Sequence, residues 1–164
     1  MHQYTANIEW QRGRDVFTDN RYSRGHQWKF DGGAVVPGSS SPLSVPLPMS
    51  IEANVDPEEA LVAAASSCHM LVFLWLACKQ GYTVESYSDQ AIGIMDKNSK
   101  GKLAITLITL RPHIVFSGAQ QPSPEQLDEL HHEAHDGCYI ANTLACDIVV
   151  NAALPAALPA ALPT

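Results

Sequence analysis

The run DPEEALVAAASSCHMLVFLWLACKQG, residues 56–81, is the most strongly patterned stretch of the chain, and the fold is read outward from it. Asp56 is a good helix N-cap, Pro57 suits the first helical position, and Glu58 and Glu59 favour the positive end of a helix dipole. Gly81 supplies the stop, so the reading predicts one helix from Pro57 to about Gln80. From Leu61 onward the helix is apolar on nearly every face and is expected to be buried all round. The segment Ala60–Ala77 approaches the length of a membrane span, but Ser66, Ser67, Cys68 and His69 interrupt its centre, and it reads as a core helix. The chain offers few other elements to surround such a helix. That is a physical hint of a dimer in which two copies wrap each other's central helices.

Around this helix the pattern is mixed. Tyr4–Trp10 alternates like a strand, Gln11–Arg24 is polar with four arginines, a short strand is predicted at Gln27–Phe30, and Asp31-Gly32-Gly33 marks a turn. Val35–Ile51, rich in Pro and Ser, reads as a long loop, of the kind that is often functional. After the helix, Thr83–Met95 and Leu103–Phe116 read as two long strands joined by the polar turn Asp96–Gly101, with Pro112 marking an edge or bulge. Ser123-Pro124-Glu125-Gln126 is a second helix start with a reciprocal cap, and that helix is expected to reach about His135 and stop near Gly137. Cys138–Ala145 is read as a short helix and Asp147–Val150 as a closing strand. The Ala-Ala-Leu-Pro repeats from Ala152 to Thr164 read as a tail outside the domain. The expectation is an α+β domain over residues 1–150, followed by a low-complexity tail at 151–164.

Composition narrows the function. The 164 residues carry 10 basic and 17 acidic side chains, a net charge of −7, and no basic block, which disfavours nucleic acid as a partner. Only 16% of residues are charged, against an average of about 25%. Met1–Trp10 has no signal-peptide pattern. The four cysteines, Cys68, Cys78, Cys138 and Cys146, form no CxxC pair and are too scattered for a disulfide framework. The default setting is therefore a reducing cytoplasm, with no membrane partner, in which a cysteine is used for chemistry.

Cys68 lies mid-helix and Cys138 just after a helix stop, a rigid thiol and a freer one, which suits a peroxidatic and a resolving pair. Cys78 and Cys146 read as packing residues. A thiol is nucleophilic as thiolate and needs a nearby cation, for which the N-terminal arginines are candidates, oriented by a carboxylate. Glu58 and Glu59 are the carboxylates closest in sequence, yet ten helical residues separate Glu58 from Cys68, a rise of about 15 Å. Either the helix breaks near Ala63–Ala65, the arginine spans the gap, or Glu58 serves a partner subunit's site. The bland alternative is that both glutamates merely suit the dipole. His131, His135 and Cys138 have metal-ligand spacing, but Gly137 should end the helix before Cys138 and His131-His132-Glu133 looks like a solvated face, so no metal site is assigned.

Asp56-Pro57-Glu58-Glu59, Ala63-Ala64-Ala65-Ser66-Ser67-Cys68-His69-Met70 and Ala134-His135-Asp136-Gly137-Cys138 together resemble the OsmC/Ohr family. Tyr22-Ser23-Arg24-Gly25-His26 with Phe30-Asp31-Gly32-Gly33 is similar to an OsmC branch distinct from the Ohr proteins. The likeness runs over about residues 4–150. It implies an α+β intertwined homodimer, with antiparallel sheets wrapped around two central helices and active sites at the interface. It also implies a thiol peroxidase that reduces organic hydroperoxides and hydrogen peroxide, uses an external dithiol, and needs no cofactor. By position Cys68 would be peroxidatic and Cys138 resolving. Glu58 would orient an arginine, for which Arg24 is the choice and Arg21 the runner-up. Tyr139 and His69 depart from the pattern, standing where many relatives carry Pro and Phe. The alternatives are a dimer that binds a hydrophobic ligand and a stress-related structural dimer, both without redox turnover.

Overall fold

The structure, a computed structural model, describes residues 1–152, so the Ala/Leu/Pro tail expected beyond Asn151 lies almost wholly outside the described residues. The described chain forms two compact units that divide at Leu61/Val62.

In the first unit, β1 (Ala6–Glu9), β2 (His26–Phe30) and β3 (Val35–Gly38) form an antiparallel meander in that order. The Asp31–Gly33 turn forms as expected, with Gly33 at φ +87°. β3 is a correction, because the Pro-rich stretch was expected to be loop throughout. Pro37 is tolerated because β3 is the edge strand of the sheet, and on its outer side it meets only the single bridge at Val55, where Pro37 offers its carbonyl and no N–H is required. The polar stretch between β1 and β2 is folded by aromatics: Phe17 stacks on Tyr22 at 4.6 Å and Trp10 meets Tyr22 edge-on at 5.3 Å between ring centroids. The unit ends with the start of α1 (Pro57–Lys79).

Both ends of α1 form as predicted. The Asp56 carboxylate accepts from Glu59 N–H at 2.8 Å, and Glu59 in turn accepts from Asp56 N–H at 3.3 Å, a reciprocal cap. At the other end Gly81 (φ +82°) donates to the Cys78 carbonyl and Tyr82 to the Ala77 carbonyl, which closes the helix.

In the second unit the two long predicted strands do pair antiparallel, but each is cut in two. β4 (Thr83–Asp89) and β5 (Ile92–Lys97) answer β7 (Pro112–Ser117) and β6 (Leu103–Leu110), as the pairs β4–β7 and β5–β6 in two separate sheets. The switch falls where Asp89 accepts from Arg111 N–H at 2.6 Å, a side chain replacing a ladder bond. α2 (Pro124–Gly137) has the capping box predicted for Ser123 and Gln126. Residues 139–143 are turns rather than the expected short helix, because Cys138 leaves helical geometry at φ −76°, ψ 112°. β8 (Asp147–Val150) closes the sheet, parallel to β6.

The core of this unit joins one row of α1 to α2 and the β4–β7 sheet: Phe73, Ala77, Tyr82, Ile114, Phe116, Leu127, Leu130 and Ala134. On α1 only Ala65, His69, Phe73 and Ala77, a single i+4 row, are buried. Leu71 and Trp75 remain 63% and 57% exposed. The helix buried on every side is therefore not achieved by one chain.

Candidate active site

Cys68 sits half-buried on α1, and Cys138, 1% exposed, caps the end of α2; both are free thiols. α2 reaches α1 closely at this end, since a Cβ on Gly137 would stand 3.0 Å from Val72 Cγ1. Burial pushes the Cys138 thiol up from its ordinary value, and the neighbouring Cys68 pushes it further. Opposing this, Ala141 N–H donates to Cys138 Sγ at 3.3 Å. The fold thus brings together two sulfurs seventy residues apart in sequence, the buried one held as a thiol.

Arg24 belongs to the first unit and is held by its backbone. Its N–H donates to the Met49 carbonyl at 2.7 Å, and its carbonyl takes a hydrogen bond from His26 Nδ1 at 2.8 Å. His26 Nε2 accepts from Trp28 Nε1 at 2.6 Å, which leaves the proton on Nδ1. The guanidinium lies 3.7 Å from the Tyr22 ring centroid and donates to the Tyr22 carbonyl and to Asn20, at 2.7 Å to its side chain. Arg21, the runner-up, is exposed.

Glu58 is half-buried, and its Oε2 is sheltered from solvent with no hydrogen-bond partner among the described residues. Arg24 and Glu58 form no ion pair within the chain, because the guanidinium is turned toward Tyr22 and Asn20. α1 is unbroken through Ala63–Ala65, so a helix break does not bring Glu58 to Cys68.

Two further corrections concern residues first read as bland. Cys78 is exposed rather than packed, whereas Cys146 does pack, against the cluster of Ala65, Ile108 and Leu110. His131 is not on a solvated face: it is 5% exposed, its Nδ1 lies 3.1 Å from His69 Nε2, and the two rings stack at 5.4 Å. Burial drops both imidazoles to about 4, and for His69 the neighbouring His131 and His135 add to this while Asp89 opposes it. The sequence held the signal, since Leu127, Leu130, His131 and Ala134 form a helical stripe. Ser66, also unassigned from sequence, donates to Asp89 at 2.5 Å. Among the described residues no three His, Cys, Asp or Glu side chains gather as a metal site.

The family model described as "OsmC-like protein" matches residues 52–153. The chain belongs to that family. It is 54% identical to an OsmC-like protein of unknown function from Vibrio cholerae, with a TM-score of 0.92, covering 93% of this chain and all of that one. More distant folds include the organic hydroperoxide resistance protein of Elizabethkingia anophelis (15% identity, TM-score 0.64, 93% and 94% of the two chains). Another is OhrB, the organic hydroperoxide resistance protein of Bacillus subtilis (14%, TM-score 0.60, 92% and 96%). No curated protein matches the chain.

Proposed function

We propose that this protein is a cytoplasmic, homodimeric thiol peroxidase acting on organic hydroperoxides and hydrogen peroxide. The observation that carries this reading is the Cys68–Cys138 pair, one thiol half-buried and the other buried beside it. The OsmC membership and the fold shared with two hydroperoxide resistance proteins support the substrate class.

In the first step the Cys68 thiolate attacks the distal peroxide oxygen, the O–O bond breaks, and the alkoxide takes a proton from solvent and leaves as the alcohol, giving the Cys68 sulfenic acid. Cys138 then attacks that sulfur, water leaves, and a Cys68–Cys138 disulfide forms. An external dithiol reduces it and is itself oxidised to a disulfide, so that both thiols return. The raised Cys138 thiol suits the second role, because burial keeps it protonated and so disfavours it as the first nucleophile. Arg24 is the proposed cation that favours the Cys68 thiolate. Glu58 is the proposed carboxylate that orients an arginine, and its sheltered, unpartnered oxygen supports service to a site shared with a second copy. The exposed Leu71 and Trp75 support the homodimer.

The test is consumption of an alkyl hydroperoxide with a dithiol reductant. C68S is expected to abolish turnover, and C138S to leave one oxidation per chain without an intramolecular disulfide. Full turnover by C68S would end the reading. Ligand-dependent thermal shifts with an inert Cys68 would favour the hydrophobic-ligand alternative.

A further inference from the structure

The mechanism leaves unused a pair of imidazoles buried between the same two helices. His69 follows Cys68 on α1, and His131 lies two turns before Cys138 on α2. They are joined at 3.1 Å, and Phe73 stacks on His131 at 4.7 Å. Only one of the facing nitrogens carries a proton, so the contact is a hydrogen bond between neutral rings. The outer nitrogens, His69 Nδ1 and His131 Nε2, are buried without partners among the described residues. An apolar pair of the same shape would avoid that cost, so a polar contact here calls for a reason.

We propose that the His69–His131 hydrogen bond is a positioning element for the thiol pair, fixing how α2 sits on α1 and thereby how readily Cys138 reaches Cys68. A hydrogen bond restricts distance and direction, whereas apolar contact tolerates sliding and ring rotation. Gly137 on Val72 leaves α2 free to approach closely, and the imidazole bond sets where along α1 it does so. The inference uses the cysteine roles proposed above, but its test needs no peroxide.

The reduced full-length protein is equilibrated with glutathione buffers. Two protein S–H bonds and one glutathione S–S bond are exchanged for one protein S–S bond and two glutathione S–H bonds. The protein loses the two electrons that glutathione disulfide gains. The fraction of Cys68–Cys138 disulfide gives the equilibrium constant. H131F, and H69F/H131F, which keeps stacked rings without the bond, are expected to lower it about tenfold. H131N places an amide nitrogen where His131 has Nδ1 and is expected to restore it. An unchanged constant in folded H131F or H69F/H131F, or a constant lowered equally in H131N, overturns the proposal.

A second arm compares the two redox states. By reciprocity the disulfide must in turn hold the imidazoles together, so they should take up protons at lower pH in the oxidised than in the reduced wild type. The groups facing His69 are His131 and His135 from α2 and Asp89 from β4, with the buried Tyr87 hydroxyl beside Asp89. Their charges act in both redox states, but oxidation also removes the Cys68 thiolate charge beside His69, so the oxidised wild type is compared with reduced C68S as well, in which no thiolate contributes. Superimposable titrations of the two forms by imidazole NMR overturn the proposal. Absent peroxidase activity with an altered glutathione equilibrium would refute the enzymatic reading and leave the positioning role standing.

Discussion

α1 and α2 solve the same problem in opposite ways. α2 is amphipathic: Leu127, Leu130, His131 and Ala134 face the core, while His132 and Asp136 are 72% and 69% exposed at their side chains. Everything it must bury is buried by its own chain. α1 buries one row and leaves Leu71 and Trp75 in water, with Lys79 laid over the Trp75 ring at 4.3 Å. A helix that is over-apolar for its own chain leaves apolar surface uncovered, which fits the second copy proposed above. α2 carries information only about its own fold.

The largest expected effect breaks this contrast at α1. In a two-fold dimer each changed side chain counts twice. Withdrawing Leu71 and Trp75 from both copies at about 2 kcal/mol per side chain amounts to about 8 kcal/mol, or roughly six decades in Kd. L71E/W75E should sediment as a monomer, while E133K on the exposed face of α2 should leave the oligomer unchanged. A monomeric wild type would remove the comparison altogether.

The next effect lies where the two helices meet. His69 and His131 stand at about 4 in the folded protein, below the ordinary 6.5, because burial disfavours their charged forms. The unfolded chain therefore binds more protons between those values. The stability of the neutral pair is fully present above about pH 6.5 and is lost as pH falls toward 4, by a few kcal/mol. Urea midpoints from pH 7 to 4 should fall in the wild type and fall less in H69F/H131F. The exposed His132–Asp136 pair, 3.8 Å apart, gives the contrast, and H132Q should track the wild type.

What was legible in the sequence follows the range of the interactions that encode it. Both helix starts and the Gly81 stop were readable because caps are written within four residues. The cysteine pair and the family resemblance came from the short motifs around Asp56, Cys68 and Cys138. The switch of sheet at Asp89 and Arg111 was not readable, since it depends on a side chain finding a backbone amide 22 residues away. β3 was missed because Pro37 argues against a strand unless one already knows that it lies at an edge. The turn at Cys138 was read as helix because apolar spacing from Ile140 to Leu144 fits both states. His131 was misread because its neighbours His132 and Glu133 are polar. The stripe from Leu127 to Ala134 should have outweighed them.

The smallest expected effect sharpens the comparison at the helix starts. Ser123 caps α2 in the open: its Oγ accepts from Gln126 N–H at 3.3 Å and donates to Glu125 at 2.7 Å, while Gln126 returns a bond to Ser123 N–H at 2.8 Å. Asp56 caps α1 at 7% exposure, and its charge faces the first turn of a longer helix. Removing the exposed cap strands donors that water can still reach, so S123A should cost about 1 kcal/mol, and S123T, which keeps the hydroxyl, less than half of that. D56A removes a sheltered, charged acceptor and should cost more than S123A under the same conditions. Urea unfolding of the three variants at pH 7 gives the order. Equal losses for S123A and D56A would mean that the start of α1 is as wet as that of α2, and the difference between the two helices would then lie only in their apolar faces.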